Sequence, residues 1–134
     1  MANISDWFHK RIMIVDDFAH LREDLKNILH SYGFTNIREY EDGKPAWSEL
    51  KMEASLGVPY DIIFSDINMP IINGLTLLKE VRKSEAYKMT PIFMVSTETE
   101  KNIIMKAIML GATDYIIKPF EKELIIQKLL LRLK

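Results

Sequence analysis

The 134-residue chain has no cysteine, few glycines and prolines (five of each), almost no net charge and no long apolar run. Without cysteine there are no disulfides, no thiol nucleophile and no thiolate metal site. A cytoplasmic location is compatible with that. Scarce Gly and Pro argue against low-complexity linkers and collagen-like or disordered segments. No stretch reaches the ~18 uncharged apolar residues of a membrane helix. Residues 1–10 hold Asp6, Trp7 and Phe8 but nothing resembling the core of a signal peptide. The formal net charge is -1, from 18 Lys+Arg against 19 Asp+Glu. No global field is therefore available to recruit nucleic acid or an anionic membrane. The hydrophobic fraction of 48% is what a folded domain of this length needs to build a core.

What the chain does contain is an alternation. Short apolar runs (Ile12 to Val15, Asn36 to Tyr40, Ile62 to Phe64, Ile92 to Val95, Tyr115 to Ile117) alternate with longer helix-periodic stretches. In the first of these stretches Phe18, Leu21, Leu25, Ile28, Leu29 and Tyr32 recur at spacings of three and four, marking one helix face. Gly33 follows as the expected helix stop. Further helices are expected over residues 43–55, 74–84, 99–110 and 120–133. Five strand–helix units imply a parallel sheet covered on both faces, an α/β three-layer domain. Four strands read as nearly continuous apolar runs, as doubly buried strands do. The second is more polar and is expected at an edge.

The residues just after each strand are the informative ones. Asp16 and Asp17 follow the first, Ser65, Asp66 and Asn68 the third, Ser96 and Thr97 the fourth, and Lys118-Pro119 the fifth. In an open parallel sheet all strand C-termini share one edge, and ligands bind there. Three carboxylates brought together repel, and a cation relieves them. The donors are all oxygens, which suits a hard divalent ion such as Mg²⁺. Three carboxylate charges are balanced by one such ion and Lys118, leaving a site ready for a phosphoryl group. A carboxylate can then serve as the nucleophile. Acidic residues after strands also serve as helix caps, and for Asp17 alone the two roles stay open.

The stretches Val15-Asp16-Asp17-Phe18, Ser65-Asp66-Ile67-Asn68-Met69-Pro70, Met94-Val95-Ser96-Thr97-Glu98 and Tyr115-Ile116-Ile117-Lys118-Pro119-Phe120 resemble the receiver domain of two-component response regulators. Within that family the single-domain chemotaxis regulators are most similar. The resemblance covers residues 11–134 and leaves 1–10 as an N-terminal extension. It implies a flavodoxin-like (βα)5 fold with five parallel strands in the order 2-1-3-4-5. It implies Asp66 as phosphoacceptor and Asp17, Asp66, the Asn68 carbonyl and, through water, Asp16 as Mg²⁺ ligands, with Mn²⁺ as a substitute. Lys118 corresponds to the lysine that pairs with the phosphoryl group, and its bond to Pro119 is expected to be cis. Ser96 corresponds to the switch hydroxyl, where threonine is commoner, and Tyr115 to the aromatic switch. Thr97 departs from the small residue usual there, which either narrows access to the site or is absorbed by local adjustment. Asn68 and Glu98 correspond to positions that set phosphoryl lifetime.

The implied partners are a sensor histidine kinase, a flagellar motor switch protein or a phosphotransfer protein, and a phosphatase. The implied role is that of a signalling protein rather than a turnover enzyme. The expected readout face is the fourth helix, fifth strand and fifth helix, including Lys101, Ile104 and Tyr115. Over residues 101–110 only Lys101, Asn102 and Lys106 are polar, far more apolar surface than one core-facing stripe needs. Part of that surface is expected to be exposed, with methionine suiting an adaptable contact.

Two other classes fare worse. A dehalogenase-type phosphatase needs an acid two residues after the nucleophile, where Asn68 stands. A flavin carrier needs a phosphate-cradling loop after the first strand, where Asp16 and Asp17 would repel phosphate. His9, His20 and His30 lack metal-cluster spacing. The segment Lys51 to Pro59 is longer than usual for the family and has no assigned role. No output domain is expected after the fifth helix, so the chain reads as a single-domain regulator or a receiver cut from a larger one.

Overall fold

The computed structural model describes residues 4–132; residues 1–3 of the expected N-terminal extension and residues 133–134 of the expected domain lie outside them. Five strands, β1 (Ile12–Val15), β2 (Ile37–Tyr40), β3 (Ile62–Ser65), β4 (Ile92–Ser96) and β5 (Asp114–Ile117), alternate with five helices. These are α1 (Ala19–Tyr32), α2 (Gly43–Ser55), α3 (Gly74–Lys83), α4 (Lys101–Met109) and α5 (Lys122–Arg132). The strands form one sheet in the order β2-β1-β3-β4-β5, all parallel, as the resemblance implied.

Strand side chains alternate between the two faces. Ile12 and Ile14 of β1 join Leu25 and Leu29 of α1 and Ile125 and Leu129 of α5 in one core. Met13 and Val15 join Leu50, Leu77, Leu78 and Ala107 of α2, α3 and α4 in the other. β1, β3 and β4 are buried on both sides, which explains their unbroken apolar runs. β5, expected to be the same, is instead the other edge strand, with Asp114 and Tyr115 half-buried and Ile117 exposed. β2 is half-buried and at the edge, as its polarity predicted.

Local chemistry sets the helix ends. Asp42 caps α2 by accepting from the Lys44 amide at 2.8 Å, and Asn73 caps α3 by accepting from the Thr76 amide at 3.0 Å. Gly33 ends α1 with φ 125°, and a Cβ there would stand 2.6 Å from the Phe8 ring. Residues 4–10 are not a loose tail. Ile4–Trp7 make a 3₁₀ turn, and Phe8 packs edge-on against Phe34 with centroids 5.3 Å apart.

Phe18 differs from its expected place on the buried face of α1. It is the N-cap residue, extended and 64% exposed. Its amide is taken by the Asp16 carboxylate at 2.9 Å, so the chain turns outward here before the helix begins. α4 starts at Lys101 and α5 at Lys122, each two residues later than the periodicity predicted. The Lys51–Pro59 segment is fastened by one side chain. Arg11 pairs with Glu53 at 2.8 Å, donates to the Val58 carbonyl and lies 4.3 Å over the Tyr60 ring.

Candidate functional site

The strand order reverses its direction of advance between β1 and β3, which opens a crevice at their C-terminal ends. Asp16 follows β1, Asp66 follows β3 and Lys118 follows β5, so all three meet there. The Lys118 ammonium lies 2.7 Å from Asp16 Oδ2 and 3.3 Å from Asp66 Oδ2. All three side chains are 6–7% exposed, so these are desolvated charges that need one another. Asp17 is exposed, yet offers a carboxylate oxygen within 4.8 Å of those of Asp16 and Asp66.

Each group is held by backbone. The Asp66 amide donates to the Val15 carbonyl at 2.9 Å, extending the β1–β3 ladder into the site. Asp66 Oδ1 accepts from the Ile67 amide at 2.7 Å. The Lys118 amide donates to the Ser96 carbonyl at 2.9 Å, and the Lys118-Pro119 bond is cis as expected. Burial and the neighbouring Asp16 charge push the Asp66 carboxyl above the usual carboxylate range, against the pull of Lys118. A second cation would relieve that repulsion. The donors are hard oxygens from three carboxylates, which fits an ion of the Mg²⁺ class.

An open cleft of about 440 Å³ leads to this cluster. Asp66, Lys118, Asn68 and Thr97 line it, together with Phe18 and His20. His20 carried no such signal in the sequence. Phe18 had one, its place directly after the Asp pair, but its helical spacing hid it.

Behind the cleft lies a second group. Ser96 is fully buried, and its Oγ accepts from the Glu98 amide at 3.1 Å. The Tyr115 hydroxyl donates to the Glu98 carbonyl at 2.7 Å. Burial pushes the Tyr115 phenol up, while a hydrogen bond with Ser96 pulls it down. Ser96, Glu98 and Tyr115 thus form one connected unit between β4, β5 and the start of α4. Lys101 and Ile104 lie on α4 outside the cleft, Lys101 exposed and Ile104 half-buried. Of α4 only Ala107 is buried, and Met105, Ile108 and Met109 are 51%, 47% and 83% exposed, as the excess of apolar residues predicted.

Two contributors escaped the sequence reading. Arg22 reaches back to the Asp16 carbonyl at 2.7 Å. Gly74 sits where a Cβ would lie 1.8 Å from the Asp66 carbonyl oxygen. Among the described residues no helix is long and apolar enough to cross a membrane.

Residues 12–130 match the family model described as the response regulator receiver domain. Chemotaxis protein CheY1 of Helicobacter pylori is 36% identical, with 89% of this chain and 93% of that protein covered. Chemotaxis protein CheY-3 of Vibrio cholerae is 37% identical, covering 89% and 88%. Among solved structures, the chemotaxis protein CheY4 of Vibrio cholerae is similar at a TM-score of 0.81 and 30% identity, covering 93% of this chain and 99% of that one. A structure of the CheX-CheY-BeF3-Mg complex from Borrelia burgdorferi gives a TM-score of 0.86 at 26% identity, covering 98% and 96%. With the buried Asp–Lys–Asp cluster at the sheet's carboxyl edge, these matches lead to one conclusion: the chain belongs to the response regulator receiver domain family and is of the CheY type.

Proposed function

We propose that this chain is a cytoplasmic two-component response regulator that accepts a phosphoryl group on Asp66 from a sensor histidine kinase. The observation that carries the reading is the Lys118 ammonium held between the buried carboxylates of Asp16 and Asp66, with Asp17 beside them. Asp17, Asp66 and the backbone carbonyl of Asn68 would hold Mg²⁺, with Asp16 assisting through water. When bound, that ion supplies positive charge to the carboxylates and the transferred oxygens.

The Asp66 carboxylate attacks phosphorus. A P–O bond to Asp66 forms, the P–N bond of the donor phosphohistidine breaks, and its electron pair leaves with the imidazole. Asp66 passes from a charge of -1 to an acyl phosphate near -2. Lys118, already within 3.3 Å, pairs with the new oxygens. Ser96 can turn its hydroxyl proton from Tyr115 to them. Moving toward the phosphoryl group pulls Ser96 Oγ from the Glu98 amide, and Tyr115 follows through its bond to the Glu98 carbonyl. The face formed by α4, β5 and α5, with Lys101, Ile104 and Tyr115, carries that change to a partner. Asn68 and Glu98 govern how long the phosphoryl group lasts, and Thr97 limits what reaches it.

The relatives named as chemotaxis proteins support a role in chemotaxis, with the flagellar motor switch as target. The test is labelling by radioactive acetyl phosphate. The wild type takes up one label per chain with Mg²⁺ and none without it, and Asp66→Asn takes up none. Retained stoichiometric labelling of Asp66→Asn at another residue would refute the assignment.

A further inference from the structure

Asp17 reaches the site in an unusual way. Among the described residues its side chain has no hydrogen-bond or ion-pair partner, so only its backbone aims it. That backbone begins at the Asp16–Asp17 peptide, whose carbonyl oxygen accepts from Arg22 Nη1 at 2.7 Å. Fixing this carbonyl fixes the plane of the peptide that leads into Asp17. Asp16 is pinned at its other atoms as well: its amide donates to the Tyr40 carbonyl at 3.0 Å, and its carboxylate takes the Phe18 amide and Lys118.

Arg22 is itself aimed. Its Nε donates to Glu39 Oε1 at 2.8 Å, and the other Glu39 oxygen takes Lys26 Nζ at 2.6 Å. Glu39 lies on the edge strand β2, directly paired with Ile14 of β1. The Arg22 side chain is 14% exposed and spans the first turn of α1, with one nitrogen on the edge strand and another on the acidic corner. Lysine has a single ammonium and cannot reproduce this fork.

We infer that Arg22 is a positioning residue for the divalent cation, holding the Asp16–Asp17 peptide so that the Asp17 carboxylate meets those of Asp16 and Asp66. This rests on the reading of those three residues as the cation site. It makes a prediction of opposite sign to plain charge counting. Deleting a positive group near three carboxylates strengthens cation binding by Coulomb's law. Deleting a residue that orients a metal ligand weakens it, roughly tenfold in comparable metal sites.

The test is calorimetric titration of the metal-stripped full chain with MgCl₂, for the wild type, Arg22→Met and Arg22→Lys. Circular dichroism confirms that each is folded. The Kd for Mg²⁺ is expected to rise roughly tenfold in Arg22→Met and to rise in Arg22→Lys, which keeps the charge. The Mg²⁺ concentration for half-maximal labelling by acetyl phosphate should rise in parallel. A folded Arg22→Met with an equal or lower Kd overturns the inference while leaving the cation site standing. If Arg22→Met does not fold, an unchanged Kd in Arg22→Lys overturns it equally. A wild type that binds no Mg²⁺ defeats the site reading and this inference together.

Discussion

Replacing Gly74 with alanine is the sharpest test of how the fold holds Asp66. Gly74 opens α3 and donates its amide to the Ile67 carbonyl at 2.7 Å. An added Cβ would lie 1.8 Å from the Asp66 carbonyl oxygen, 2.7 Å from its carbonyl carbon and 2.8 Å from Ile67 Cα. All three are backbone atoms, so no side chain can swing away. At least about 1.2 Å must be found by moving either α3 or the Asp66–Ile67 backbone. The conformation itself is no obstacle, because Gly74 is not among the residues with positive φ. Alanine therefore gains about 0.4–1 kcal/mol from the unfolded chain. Overpacking costs about 1–3 kcal/mol. The net loss is on the order of 1–2 kcal/mol, or roughly 4–8 °C in Tm at this chain length. Asp66 sits 3.3 Å from Lys118, and a shift near 1 Å in such a group costs up to about a hundredfold in rate. Thermal melting by circular dichroism and the initial rate of acetyl phosphate labelling measure both effects. Thr76→Ala, exposed and two residues further on, serves as the control and should change neither. A Gly74→Ala protein with unchanged Tm and unchanged labelling would refute the reasoning.

Four further outcomes are expected. Ile71 is 78% exposed and holds φ 67°, a left-handed backbone that a β-branched residue adopts at a cost, so Ile71→Asn should raise stability by about 1 kcal/mol in urea unfolding. Hydrogen bonds from Lys26 and Arg22 hold the Glu39 carboxyl below its ordinary value near 4.5. A depressed carboxyl contributes stability above the unfolded-state value and loses it as pH falls through the folded one. The gap in unfolding free energy between wild type and Glu39→Gln should therefore be open at neutral pH and close below about pH 4.5. Phe8→Ala should cost about 1–2 kcal/mol by removing the half-buried ring from Phe34 and Tyr32. Gly33→Ala should remain destabilised in a Phe8→Ala background, because its φ of 125° persists without the ring. Double-mutant unfolding measures that residue of strain.

The order of elements could be read from hydrophobic periodicity, because strands and helices bury their side chains at different repeats. The polar residue after each strand could be read too. Parallel strands place every C-terminus on one edge, so Asp16 and Lys118, 102 positions apart, had to come near each other. What sequence could not decide were contacts that no periodicity encodes. Lys118 lies closer to Asp16 than to Asp66, a matter of ångströms in how β1, β3 and β5 end. Phe18 fits the spacing of α1 but is drawn off the helix because the Asp16 carboxylate takes its amide. Arg22 looks like any polar helix residue until its fork is seen closing on the Asp16 carbonyl and Glu39. Gly74 reads as a helix-entry residue, and only the packing of α3 against Asp66 shows that no Cβ fits. By itself the sequence determined which chemical groups share an edge, since pattern and chain direction suffice for that. Tertiary structure alone decided their distances and supports, because those depend on how separate elements pack at atomic contact.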